Sequence, residues 1–138
     1  MDLKQLETLL SNPAHISILS TVDLEGNPNS AIFGSSQQID QQIIIGCGEN
    51  RTLKNLRQNP KAVLLVTVPG ESILAYQGIR LYLNCCAIEE EDPLLDKIQN
   101  EARTTAGRMA ARMIQYLLRF NITETRDLVD LSSIFATK

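Results

Sequence analysis

Ile43-Ile44-Ile45-Gly46-Cys47-Gly48-Glu49-Asn50-Arg51-Thr52-Leu53-Lys54-Asn55-Leu56-Arg57-Gln58-Asn59-Pro60 reads as a strand running through a glycine turn into a short helix. Three β-branched residues in a row favour a buried strand. Gly46 and Gly48 free the backbone to turn and let another group come close to the main chain. Asn50 suits a helix N-cap, and Asn59-Pro60 stops the helix that follows. Such a join presents unpaired N–H groups, the ingredients of an anion site. Arg51 is out of place there, because a cation in a first helical turn opposes the helix dipole at a cost of about 0.3–1 kcal/mol. Two arrangements relieve it. One is an ion pair with Glu49, weak when exposed. The other is a bound phosphate gripped by the Arg51 guanidinium, the Thr52 hydroxyl and the helix N–H groups.

Upstream, Leu3, Leu6, Leu9 and Leu10 recur at helical spacing over residues 2–10, and Asn12-Pro13 ends that element. Residues 16–22 alternate as a strand, and Asp23-Leu24-Glu25-Gly26-Asn27-Pro28 forms the turn that returns it. The return strand, 29–38, contains Phe33-Gly34-Ser35-Ser36. A glycine within a strand marks a bulge or the approach of a ligand, though a solvated edge strand reads the same way. Ile39-Asp40-Gln41-Gln42 turns the chain into the opening stretch.

Downstream, residues 62–68 are too continuously apolar for a one-sided strand and belong near the middle of a sheet. Residues 73–88 read as one long strand kinked at Gly78. The acidic corner Glu89-Glu90-Glu91-Asp92 leads a helix from Pro93 whose stripe runs Leu94, Leu95, Ile98, Ala102, Ala106, Met109, Ala110 and Met113. Arg103, Arg108 and Arg112 lie off that stripe, as a solvated face or as reach toward a phosphate or a partner. Tyr116, Leu118, Phe120 and Ile122 then alternate as a last strand, and the order of the tail from Asp127 to Lys138 is left open.

Length and composition set the class. A chain of 138 residues, 43% apolar and 21% charged, fits one globular domain over residues 1–138. A net charge of −3 with no long basic run gives no electrostatic footprint for nucleic acid. No apolar run approaches membrane-spanning length, and the first residues lack a signal-peptide layout, so a cytoplasmic location is expected. Three cysteines and one histidine argue against a disulfide framework and against a metal site. Cys85 and Cys86, adjacent in a strand, point to opposite faces.

Strand, glycine turn, strand with a polar end, hairpin, strand, and a helix reading Arg-Thr-x-x-Asn-Leu-x-x-Asn-Pro (residues 51–60) together resemble the pyridoxamine 5'-phosphate oxidase-like FMN-binding split barrel. The resemblance is nearer to the small FMN-binding flavoproteins than to the oxidase. It implies a mainly β fold, a six-stranded antiparallel split β-barrel with Greek-key character flanked by helices. It implies that Arg51 and Thr52 hold the flavin phosphate, with Asn55 nearby. It places Phe33, Gly34, Ser35 and Ser36 along the isoalloxazine ring, and the backbone of Gly46, Cys47 and Gly48 at the ring edge. It implies a homodimer with FMN at the subunit interface. Two departures stand out: 29–32 carries no basic residue, and Thr52 replaces a lysine of the oxidases. Lys54 is a candidate to compensate, though its position on the helix equally suits a solvent-facing side chain.

The expected function is therefore an FMN-binding oxidoreductase or electron carrier with an unknown electron partner, and no residue is assigned as catalytic. Two other classes are carried: a non-catalytic barrel holding a deazaflavin, haem or pyridoxal phosphate, and a ligand-free dimerisation domain.

Overall fold

The computed structural model describes residues 3–130. In chain order the elements are α1 (Leu3–Ser11), β1 (Ile16–Val22), β2 (Pro28–Ile32), β3 (Gln37–Ile39), β4 (Gln42–Cys47), α2 (Arg51–Gln58), β5 (Lys61–Val68), β6 (Gln77–Glu89), α3 (Pro93–Ala106), α4 (Arg108–Met113) and β7 (Tyr116–Asp127). The seven strands form one sheet in the order β2-β1-β5-β6-β7-β4-β3, and every pairing is antiparallel.

Connectivity forces that sheet to curl. Its two edges, β2 and β3, are joined by residues 33–36 alone. From Ile32 to Gln37 the chain spans at most about 18 Å. A flat sheet would hold its outermost strands roughly 29 Å apart, at about 4.8 Å per strand. The edges must come round toward each other, which gives a split, barrel-like arrangement flanked by helices.

The expected count of six strands becomes seven because the return strand breaks in two at Phe33–Ser36. β2 pairs with β1, while β3 pairs with β4. The segment read as the middle of one strand is the crossing from one edge of the sheet to the other.

The inside of the curl is lined by Leu19, Ile43, Ile45, Leu64, Leu81, Leu118 and Phe120, all essentially inaccessible. Leu6 and Leu9 of α1 close one opening, and Leu53 and Leu56 of α2 pack into the same core. Each such leucine is worth about 1.5–3 kcal/mol of burial. A smaller cluster of Ile44, Leu95, Ile98 and Leu117 lies where α3 covers the outside of β4 and β7. β4 is thus buried on both faces, which explains the unbroken isoleucine run.

Three further expectations shift. Residues 73–75 form a 3-10 turn with Ile73 and Leu74 exposed, so the strand begins at Gln77. The helix from Pro93 breaks at Gly107, and Met109 and Met113 are 79% and 70% exposed rather than part of a core stripe. A bulge in β6 falls at Cys86, leaving Cys85 half-buried and Cys86 exposed. The tail beyond Asp130 lies outside the described residues.

Candidate functional site

α2 has two faces of opposite character. Thr52, Leu53, Asn55 and Leu56 are buried, whereas Arg51, Lys54 and Arg57 are exposed. The Asn50 side chain accepts from Leu53 N at 3.0 Å, as an N-cap should. The N–H groups of Arg51 and Thr52 have no acceptor within the described chain.

Glu49 is not the partner of Arg51. It accepts from the Tyr116 hydroxyl and pairs with Arg57 at 3.7 Å, while the Arg57 guanidinium lies 5.2 Å from the Tyr116 ring centre. No carboxylate among the described residues comes within ion-pair distance of Arg51 or Lys54. These two cations stand three residues apart, on one side of the first helical turn. Lys54, expected either to compensate or to face solvent, is exposed on α2 as Arg51 is.

Thr52 and Asn55 point the other way. Thr52 is 1% exposed, and the Asn55 amide donates to Thr21 Oγ1 at 3.1 Å, tying α2 to β1. Asn55 is thus a tether between helix and barrel wall.

The other candidates divide as well. Phe33 and Ser36 turn into the interior, and the Ser36 hydroxyl has no partner. Ser35 Oγ accepts from Gly46 N at 3.0 Å and donates to Gly46 O at 3.2 Å, which clasps the crossing segment to β4. Gly34 faces open space. At Gly46 a Cβ would meet Ile114 and Ile98 at 2.8 and 2.9 Å; at Gly48 it would lie 2.4 Å from the Met113 carbonyl oxygen. The groups that approach these two glycines are the chain's own α3 and the end of α4. Cys47 is buried, its carbonyl accepts from Gln115 N at 3.0 Å, and its thiol donates to Gly48 O and Asn50 Oδ1.

Burial pushes the Cys47 thiol above its ordinary value and Cys85 up to about 11, so neither supplies a thiolate near neutral pH. His15 engages Asn12 O through Nδ1. No group of metal-ligating side chains occurs among the described residues.

A groove of about 510 Å³ runs across the outer face of β1, β5, β6 and β7, lined by Ser20, Val22, Lys61, Val63, Tyr82 and Asn84 among others. Its size suits a small ligand. Thr21 also borders it, so the Asn55–Thr21 bond connects the groove wall to the helix that carries Arg51. Sequence reading missed this groove. The signal was present in residues 61–68, where a strand apolar on both faces has only one face in the core. Arg51 lies outside this groove.

Residues 3–127 match the family model described as pyridoxamine 5'-phosphate oxidase. The chain belongs to that family. Similar solved structures include an FMN-binding protein from Syntrophomonas wolfei subsp. wolfei, 25% identical, with a TM-score of 0.78 over 94% of this chain and 87% of that one. HupZ from Group A Streptococcus is 18% identical, with a TM-score of 0.72 over 93% and 94% of the two chains. HutZ, the heme storage protein of Vibrio cholerae, is 14% identical, with a TM-score of 0.66 over 91% and 93%. No curated protein matches the chain.

Proposed function

We propose that this protein is an FMN-binding flavoprotein, an oxidoreductase or electron carrier, that acts as a homodimer with the flavin at the subunit interface. The carrying observation is Arg51: a guanidinium at a helix start, without a carboxylate partner, beside Lys54 and two unpaired N–H groups. That donor set fits a phosphate dianion. The family match and the FMN-binding relative from Syntrophomonas support the choice of cofactor.

Bound FMN supplies the redox chemistry. The chain's part is to grip and orient: Arg51, Lys54 and the first-turn N–H groups of α2 at the phosphate, with Thr52 and Asn55 holding that turn against the barrel. Gly34 offers uncovered backbone at the crossing segment. Ser35, Ser36 and the strand end Gly46–Gly48 stay candidates for ring contacts in the assembled dimer.

The test is a titration of apoprotein with FMN, followed by flavin fluorescence, on the parent and on Arg51→Ala combined with Lys54→Gln. Charged hydrogen bonds of about 1.5–3 kcal/mol predict a loss of roughly 10- to 150-fold in affinity. An unchanged affinity would remove α2 as the phosphate site.

One observation favours a second reading, a dimerisation module without flavin. The spaces at Gly46 and Gly48 are filled by Ile98, Ile114 and Met113 of the same chain. A colourless protein that ignores added FMN would favour that alternative.

A further inference from the structure

α3 and α4 meet at Gly107, whose φ of 92° and ψ of 178° fall in a region essentially restricted to glycine. A Cβ there would meet nothing within 4 Å, so the backbone angle alone demands the residue. The turn folds the end of α3 against α4 and brings Arg103, Arg108 and Arg112 around one cavity of about 360 Å³, with Gln99 and Ala111 completing its wall.

Exposed helical arginines can pair with acids three or four positions away. These do not. α4 carries no acidic residue, and the positions three and four before Arg103 are Asn100 and Gln99. Arg103 donates to Asn100 Oδ1 at 2.9 Å, while the Gln99 amide is committed to Ile114 O at 2.7 Å. Among the described residues no carboxylate lies within ion-pair distance of any of the three guanidiniums. Three like charges around one concavity, in a chain of net charge −3, repel one another until an anion sits between them.

We propose that this cavity binds a small polyanion, a molecule bearing two or more adjacent phosphate or carboxylate groups. Guanidinium forks engage such oxygens in pairs, and three arginines lining one space suit more than one anionic group. The cavity is of the size that small ligands occupy. Its wall includes no residue of α2, so the inference does not rest on the flavin reading.

Isothermal titration of the full chain with inorganic pyrophosphate, and separately with citrate, in 0.15 M sodium chloride tests it. Saturable binding of at least one probe that survives Arg51→Ala is expected, and the preferred probe tells phosphate from carboxylate. Arg108→Gln and Arg112→Gln should each weaken binding tenfold or more. Arg112→Lys should lose less than Arg112→Gln, and Arg51→Ala should stay within twofold of the parent. All three arginines are exposed, so the variants should keep the parent melting temperature without ligand, and circular dichroism checks that. The proposal is overturned if neither probe binds saturably. It is equally overturned if Arg103→Gln/Arg108→Gln/Arg112→Gln binds like the parent, or if Arg51→Ala abolishes binding while the triple variant does not. Should the triple variant fail to fold, the two single glutamine variants decide.

Discussion

Arg51 carries opposite consequences for the empty and the loaded protein. In the empty chain its charge opposes the dipole of α2 with no carboxylate in reach, so Arg51→Glu should raise stability to urea by about 0.3–1 kcal/mol. The same change should weaken FMN binding at least tenfold, because it places a carboxylate where we propose that the phosphate is gripped. Equilibrium urea unfolding of apoprotein and a flavin titration read the two halves separately. Unfolding and affinity that both stay at parent values would mean the guanidinium lies idle in solvent. The glycines make a complementary contrast at the same scale. Gly48→Ala drives a Cβ to 2.4 Å from a backbone carbonyl that cannot rotate away, and should cost about 1–3 kcal/mol. Gly34→Ala meets open space and should fall within about 0.5 kcal/mol of the parent in the same assay.

At the scale of elements, two polar contacts set how helices sit on the sheet. Asn55 donates to Thr21 at a buried position, so Asn55→Leu leaves Thr21 without its donor and should cost about 1–3 kcal/mol. Thr21→Val combined with Asn55→Leu should cost less than the two single changes added, since both ends of the bond go together; strict additivity in urea unfolding would show that the bond contributes nothing. α3 is held differently. Asp92 caps it by accepting from Leu94 N at 2.8 Å and pairs with Arg119 at 2.9 Å. The Leu94 N–H first, then side-chain bonds with Glu89 and Arg119, hold the Asp92 carboxyl below its ordinary value of 3.8. A folded-state value below the unfolded one means that the contribution is full above pH 3.8 and fades as pH falls through the lowered value. Asp92→Asn keeps a cap-forming side chain but no titrating group, so its stability should fall less steeply than the parent's between pH 5 and pH 2. Parallel acid unfolding curves would refute that assignment. The elements were legible where one rule governed them. β1 shows clean alternation, and α2 carries both an Asn cap and a Pro stop. The α3–α4 break was not, because Ala106, Met109, Ala110 and Met113 continue a helical stripe through Gly107, and only the backbone angle there reveals the turn.

For the whole molecule, sequence reading reached the barrel through its hairpins and short helix but missed how the barrel closes. Residues 33–36 carry the chain from one sheet edge to the other, a long-range fact with no local signature beyond one glycine. The unpaired charge of Arg51 was legible, because its misfit with the helix dipole is local physics. The candidate site was not legible at Thr52 and Asn55, whose inward direction depends on where α2 docks. The outer sheet face was missed for the same reason, and it bears on assembly. Register places Ile32, Ile18 and Leu65 in one row across β2, β1 and β5, with Val63 one row on. Ile32 is 73% exposed, and Ile18, Leu65 and Val63 beside it are incompletely covered. Such a continuous apolar strip is uncommon on a monomer's surface. A second copy of the chain would cover it, and the adjoining groove would then close between two subunits. Ile32→Arg with Leu65→Arg puts four like charges into a two-fold interface of this kind, and the expected result is a monomer by light scattering that still shows the parent's circular dichroism. On the proposal that the flavin lies between subunits, the monomer should also lose FMN. A variant that stays dimeric would move the interface elsewhere, and a monomer that still binds FMN at the parent's affinity would show that one chain suffices for the cofactor.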